Sequence, residues 1–310
     1  MRLSSSTFNS DPTRALPGWL ALAVVLLTLG AAEASVRAGY TPPGELAGKI
    51  GEARATLSPT TPDVLVFGTC IGAQTLDHGL FERTLGSTGS VHRLTAPGAF
   101  PMDWYLTLRQ LLDPALVDMV IVVFTPGDLY QPTATWQSQT YDMMDSYSMQ
   151  EVAYWACMDA ACKAELYLRK SSLLYRNRAY LGNHVWTALG ARRDASALAA
   201  TTQAYAPRNA AREDAPWHFV KRMVALAKER ETPILFVELP RNPTMSGDVA
   251  AATLQSAQVH ARLAKLNVEV LRPRAPEGGY LDDVHFSPSG QRAITEAILS
   301  ELRERGVVPK

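Results

Sequence analysis

VLVFGTCIGAQTLD, residues 64–77, opens with four apolar residues, two of them β-branched and one aromatic, and then stops at Gly68. No polar residue alternates with them, so the run predicts a strand buried on both faces rather than one with a wet side. From about 71 to 85 apolar residues return at helical spacing. A strand, a tight turn and a helix in that order form the opening unit of an α/β domain. In an open parallel sheet the loop after such a strand lies at the ligand-binding edge. That loop carries Cys70.

The same order recurs outward from this unit. An apolar run at 91–94 precedes a helical pattern at 102–112, and MVIVVF at 119–124 is another continuously apolar strand. Further on, a helix at 217–231 leads into ILFV at 234–237, and one at 248–265 leads into VEVL at 268–271. The last helix is predicted from Pro288 to about residue 305, with Ser287 as its cap, Pro288 in its first turn, and Ala293, Ile294, Ala297, Ile298 and Leu302 as its inward stripe. Continuous apolar strands alternating with helices predict a three-layer α/β domain over 61–310 with a central parallel sheet. The rhythm breaks at about 129–215, a stretch rich in aromatics and arginine that reads as a mostly helical insertion with a looser, alanine-rich part near 194–209.

With 310 residues and 47% hydrophobic content the chain can build a large core. Thirty basic and thirty acidic residues balance, and no cationic run of the kind that neutralises phosphates is present, so nucleic acid is not an expected partner. Residues 16–32, LPGWLALAVVLLTLGAA, are uncharged and follow a polar leader over 1–15. Extended through Ala34 and Val36, the segment 16–36 reaches the roughly 20 residues that cross about 30 Å of hydrocarbon, and is read as a transmembrane signal anchor followed by a linker over 37–60. Ala32-Glu33-Ala34 also has the small-x-small form of a signal-peptidase site, so cleavage after Ala34 and secretion is the alternative. Both readings export the domain. Of three cysteines, Cys157 and Cys162 are close enough for a small disulfide loop in an oxidising compartment, with two buried free thiols as the plain alternative. Cys70 is then left alone. A Cys-x4-Cys metal site is not expected without nearby histidines, and no cofactor is implied.

Near the other end, LDDVHFSPSG at 281–290 holds Asp282 three residues before His285, on a loop between the last strand and the last helix. At that spacing a carboxylate can accept a hydrogen bond from one imidazole nitrogen while the other faces a nucleophile. A cysteine beside a strand is more often a small buried hydrophobe, and a loop histidine is often simply solvated. The two together, at the two ends of one domain, favour chemistry.

These two blocks, VLVFGTCIGAQTLD and LDDVHFSPSGQRA, resemble the SGNH/GDSL hydrolase superfamily of esterases and acyltransferases over roughly 64–302. The resemblance implies a flavodoxin-like fold in which Cys70 takes the place of the nucleophilic serine, His285 is the base and Asp282 its orienter. It also implies an oxyanion hole from the backbone of Cys70, Gly98 after the second strand and Gly127 in Thr125-Pro126-Gly127-Asp128, where the family has an asparagine amide that glycine does not supply. Asp128, Arg241 and Asn242 stand as possible substrate contacts. An anchor joined to such a domain is similar to a branch of membrane-attached proteins that help acylate cell-surface polymers, often beside a multispanning acyltransferase. That branch implies a single-pass bacterial inner-membrane protein with a periplasmic domain, acting on acyl esters of a polysaccharide or another acylated acceptor. A catalytically inactive scaffold or polysaccharide-binding partner is the competing expectation.

Overall fold

The computed structural model describes residues 18–39, 45–58, 63–85, 89–113, 116–130, 140–178, 214–245 and 249–307. Five strands form one all-parallel sheet in the order β2-β1-β3-β4-β5. They are β1 (Asp63–Gly68), β2 (Ser90–Thr95), β3 (Met119–Phe124), β4 (Ile234–Glu238) and β5 (Glu269–Leu271).

The continuous apolar runs have a direct physical cause. Alternate residues of one strand enter opposite cores. Leu65 and Phe67 join Val120, Val122, Phe124 and Phe236 on one face, whereas Val64 and Val66 join Ile121, Val123, Leu235 and Val237 on the other. The first face is covered by α2 (Glu45–Thr56), α5 (Pro101–Leu111) and α10 (Ala215–Glu229). The second is covered by α3 (Cys70–Thr75), α4 (His78–Leu85) and α12 (Pro288–Glu304). The remaining sheet-flanking helix, α11 (Val249–Ala264), leads into β5 and buries Val259 and Leu263 in the first core. Each fully buried aliphatic or aromatic side chain contributes about 1.5–3 kcal/mol, so the two cores together hold the layers on the sheet.

Two stretches differ from the sequence reading. The single helix expected over 71–85 is two helices. The break at Leu76 and Asp77 is fixed by Asp77, whose backbone N–H donates to Thr295 Oγ1 at 2.8 Å and whose carboxylate accepts the Leu80 N–H at 2.9 Å to start α4. The stretch 37–60, expected to be a linker, contains α2, because Leu46, Ile50 and Ala53 recur on one helix face and bury it against the domain. Three buried positions in a short, largely polar helix give little periodic signal on their own.

The described part of the insertion is helical: α6 (Thr140–Met143), α7 (Ser146–Trp155), α8 (Ala160–Ser171) and α9 (Leu173–Arg176). Cys157 and Cys162 are joined by a disulfide that ties α7 to α8, with a Cα–Cα distance of 5.3 Å. Tyr141, Met149, Val152 and Leu166 extend the first core into these helices. The alanine-rich part near 194–209 lies outside the described residues, as does the leader. Ahead of the domain, α1 (Gly18–Gly39) contains the one helix among the described residues that is long and apolar enough to cross a membrane.

Candidate active site

In a parallel sheet every strand ends at the same edge, and Cys70, Gly98, Gly127, Asp128, Arg241, Asn242, Asp282 and His285 all follow strand ends there, whereas Cys157 and Cys162 lie in the insertion. Cys70 follows β1 with only Thr69 between and is the first residue of α3. The turn is tight: Gly68 donates space rather than a side chain, since a Cβ there would lie 2.8 Å from the Val123 carbonyl oxygen. Gly68 O also accepts the Ala96 N–H at 3.3 Å, which fastens the end of β2 to the same corner. Gly98 lies in the following turn with φ of +69°, a backbone conformation in which glycine is unstrained. Cys70 is half-buried and its thiol is not part of a disulfide. Helix α3 has six residues, so it offers few aligned peptide dipoles to the thiol, less than the helix expected from the sequence.

The Asp282–His285 loop is the most closely specified part of the site. Asp282 Oδ1 accepts the backbone N–H groups of Val284 and His285 at 2.9 and 2.8 Å. Its Oδ2 lies 2.7 Å from His285 Nδ1. These bonds hold the Asp282 carboxyl down at about 2, led by the His285 N–H and ring. With Nδ1–H donating to Asp282, Nε2 is the free acceptor, which is the tautomer a general base needs. The loop is closed behind by a bridge between Tyr280 and Phe286, whose rings lie 5.0 Å apart, and by the Leu281 N–H donating to His285 O at 2.8 Å.

Arg241 and Asn242, on the loop after β4, turn towards this element. The Arg241 guanidinium pairs with the Asp283 carboxylate. The Asn242 N–H donates to Asp283 O at 2.9 Å and its amide Nδ2 donates to Asp282 O at 3.2 Å. Asn242 Oδ1 in turn accepts from the Thr244 N–H and hydroxyl. Of the three residues expected as substrate contacts, Asn242 therefore braces the backbone of the histidine loop and Arg241 pairs with its Asp283 side chain.

Gly127 lies in a 3-10 turn at Pro126–Leu129, and Asp128 folds back to accept the Thr125 N–H at 2.7 Å and its hydroxyl at 3.0 Å. Asp128 is buried, which raises its carboxyl above the usual range. A cavity of about 280 Å3 is bounded by Ile71, Thr125, Pro126, Gly127, Asp128, Arg241 and Val284, among others. Ile71 and Val284 are the immediate neighbours of Cys70 and His285, so the two blocks that lie more than two hundred residues apart in the chain share one hollow. No hydrogen bond joins Cys70 to His285 among the described residues. Catalytic hydrogen bonds are often long in unliganded sites and tighten around substrate.

Two hydroxyls here were not legible in the sequence. Thr69 Oγ1 and Thr95 Oγ1, at the ends of β1 and β2, are buried without a hydrogen-bond partner among the described residues. Buried polar atoms are almost always paired, and threonines at strand ends are too common for sequence to single them out.

No protein-family model matches the chain, and no curated protein does. Solved structures do resemble it. A GDSL-like lipase from Bacteroides thetaiotaomicron is 11% identical with a TM-score of 0.46, covering 84% of this chain and 98% of its own. The lipase/acylhydrolase from Enterococcus faecalis is 12% identical with a TM-score of 0.42, covering 81% and 99%. An acetyl xylan esterase is 10% identical with a TM-score of 0.40, covering 77% and 99%. With its five-stranded parallel sheet, Cys70 just after the first strand and a hydrogen-bonded Asp282-x-x-His285 ahead of the last helix, the chain is similar in fold to the SGNH/GDSL acylhydrolases.

Proposed function

We propose that this protein is a membrane-anchored acyl-ester enzyme facing out of the cytoplasm, with Cys70, His285 and Asp282 as its catalytic group. The observation that carries the reading is the Asp282–His285 hydrogen bond, which engages Nδ1 and leaves Nε2 for a substrate-side proton on the loop that shares a hollow with the Cys70 turn. His285 Nε2 takes the thiol proton as the Cys70 sulfur adds to the carbonyl carbon of an ester. The oxyanion is held by the backbone N–H of Cys70, with those of Gly98 and Gly127 as further donors. Collapse expels the alkoxide, which takes the proton from the imidazolium, and leaves a thioester on Cys70. Water or a sugar hydroxyl then gives its proton to Nε2, attacks the thioester and releases the thiolate. A thioester passes its acyl group readily to another nucleophile, so cysteine suits transfer.

The cavity of about 280 Å3 is of a size for a short acyl group rather than a long chain. The acceptor in this reading is a hydroxyl of a cell-surface or exported polysaccharide, with a multispanning acyltransferase as the membrane partner. The Cys157–Cys162 disulfide supports an oxidising compartment, and the apolar α1 supports attachment to the inner membrane. The absence of a Cys70–His285 hydrogen bond among the described residues favours one other reading, a scaffold that holds polysaccharide without turnover. Replacing Cys70 by alanine and by serine separates them. With a chromogenic short-chain acyl ester, and with acylated polysaccharide from cells, the enzyme reading expects loss with Cys70→Ala and partial retention with Cys70→Ser. Unchanged acylation in both variants sinks it.

A further inference from the structure

The end of the apolar helix is built into the insertion. Glu33, on α1, reaches the start of α9: its carboxylate accepts the N–H groups of Leu173 and Leu174, each at 2.9 Å, and the Ser172 hydroxyl at 2.8 Å. One turn later Arg37 donates to Ser171 O at 2.8 Å and pairs with Glu33 at the same distance. Three donors satisfied by one carboxylate at a helix start form a capping arrangement that fixes orientation as well as distance. The domain is therefore held to α1 directly, and not only through the chain that follows it.

That contact sets a height. Leu22, Val24, Val25, Leu26, Leu27 and Leu29 of α1 are exposed over half or more of their surface. Leu29 and Glu33 are four residues apart, a rise of about 6 Å in an α-helix. Whatever α9 touches at Glu33 lies within that distance of the last lipid-facing leucine. Helix α8 ends at Ser171, and one turn back it exposes Tyr167 and Leu168, each close to half accessible. Of the basic residues on this helix Lys163 is exposed, whereas Arg169 pairs with Glu165 and Lys170 donates to Tyr141 O. An exposed tyrosine and leucine with an exposed lysine one turn back suit the boundary between headgroups and acyl chains.

Resting on the anchor reading above, we infer that the Tyr167–Leu168 face of α8 lies on the bilayer surface, so that the insertion is a second membrane contact and the catalytic edge of the sheet is carried at a fixed height and tilt. The occupant of that face is lipid, not a protein partner. Continuity with the exposed surface of α1, across the Glu33 contact, is what selects it.

The test uses the full chain with a single free thiol, in a Cys70→Ser background, reconstituted in vesicles of equal parts phosphatidylethanolamine and phosphatidylglycerol. Leu26→Cys, Tyr167→Cys and Leu168→Cys are each labelled with an environment-sensitive fluorophore, and quenching is read as lipid bearing a nitroxide near the headgroup is added. Labels at 26, 167 and 168 are all expected to be quenched severalfold. Adding Glu33→Ala is expected to relieve quenching at 167 and 168 while leaving that at 26. Quenching at 26 with none at 167 or 168 overturns the inference and spares the anchor. No quenching at 26 overturns the anchor reading, and this one with it.

Discussion

Gly290, in the first turn of α12, touches the turn that launches the histidine loop. A Cβ at this position would sit 2.0 Å from the Gly279 carbonyl oxygen and 2.9 Å from its carbon, both backbone atoms that cannot swing aside. Ordinary contact begins at 3.4 Å, so Gly290→Ala forces helix and turn apart by about 1.4 Å. Gly279 has little room to give: its carbonyl oxygen accepts the Ser287 N–H at 3.0 Å, its N–H donates to Pro276 O at 2.9 Å, and a Cβ on it would itself meet Pro276 O at 2.7 Å. Overpacking of this kind costs about 1–3 kcal/mol. The loop bearing Asp282 and His285 is strung between Gly279 and Ser287, so the displacement reaches the imidazole. A misplacement of about 1 Å lowers turnover by up to ~100-fold. Urea unfolding followed by tryptophan fluorescence, together with kcat/KM on a short-chain acyl ester, reads both effects. The expected result is a lower urea midpoint and a fall in kcat/KM of tenfold or more. An alanine variant with the midpoint and kcat/KM of the parent refutes the reasoning.

Two further outcomes can be checked on the same preparations. Asp103 is fully buried at the start of α5, and burial lifts its carboxyl to about 6 although Thr140 and the Phe100 N–H donate to it. A folded pKa above the unfolded value means that the native state loses stability as pH rises from about 4 to about 6, and Asp103→Asn should flatten that slope in urea midpoints taken across the range; an unchanged slope counts against it. Asn242→Ala removes the side-chain bonds to Asp282 O and to Thr244. At ~1 kcal/mol for a typical bond, partly offset by solvent, about 1–2 kcal/mol of stability goes, and kcat should fall more than KM changes; a pure rise in KM would instead mark Asn242 as a substrate contact.

Much of this fold is written locally. The apolar strands announce themselves because a parallel strand covered on both faces needs apolar residues at every position, as at Val64–Phe67 and Met119–Phe124. The closing helix announces itself because Ser287 and Pro288 mark its start, and the Asp282-x-x-His285 spacing brings carboxylate and ring together within one turn of chain. Proximity in sequence is enough for such features.

What tertiary structure alone decided involves partners distant in sequence. The break at Asp77 depends on Thr295, more than two hundred residues away, and the packing of α2 depends on a core that its own short sequence does not reveal. The bracing of the histidine loop by Arg241 and Asn242 appears only when β4 ends beside the loop. The grip of Glu33 on the start of α9 likewise turns a residue that reads as the middle of a small-x-small cleavage motif into a joint. Cys70 and His285 are on separate blocks that no local rule can pair. The parallel sheet brings the blocks together, because it delivers every strand's C-terminal end to one edge and so sets Gly127, Arg241 and the neighbours of Cys70 and His285, Ile71 and Val284, around a common hollow.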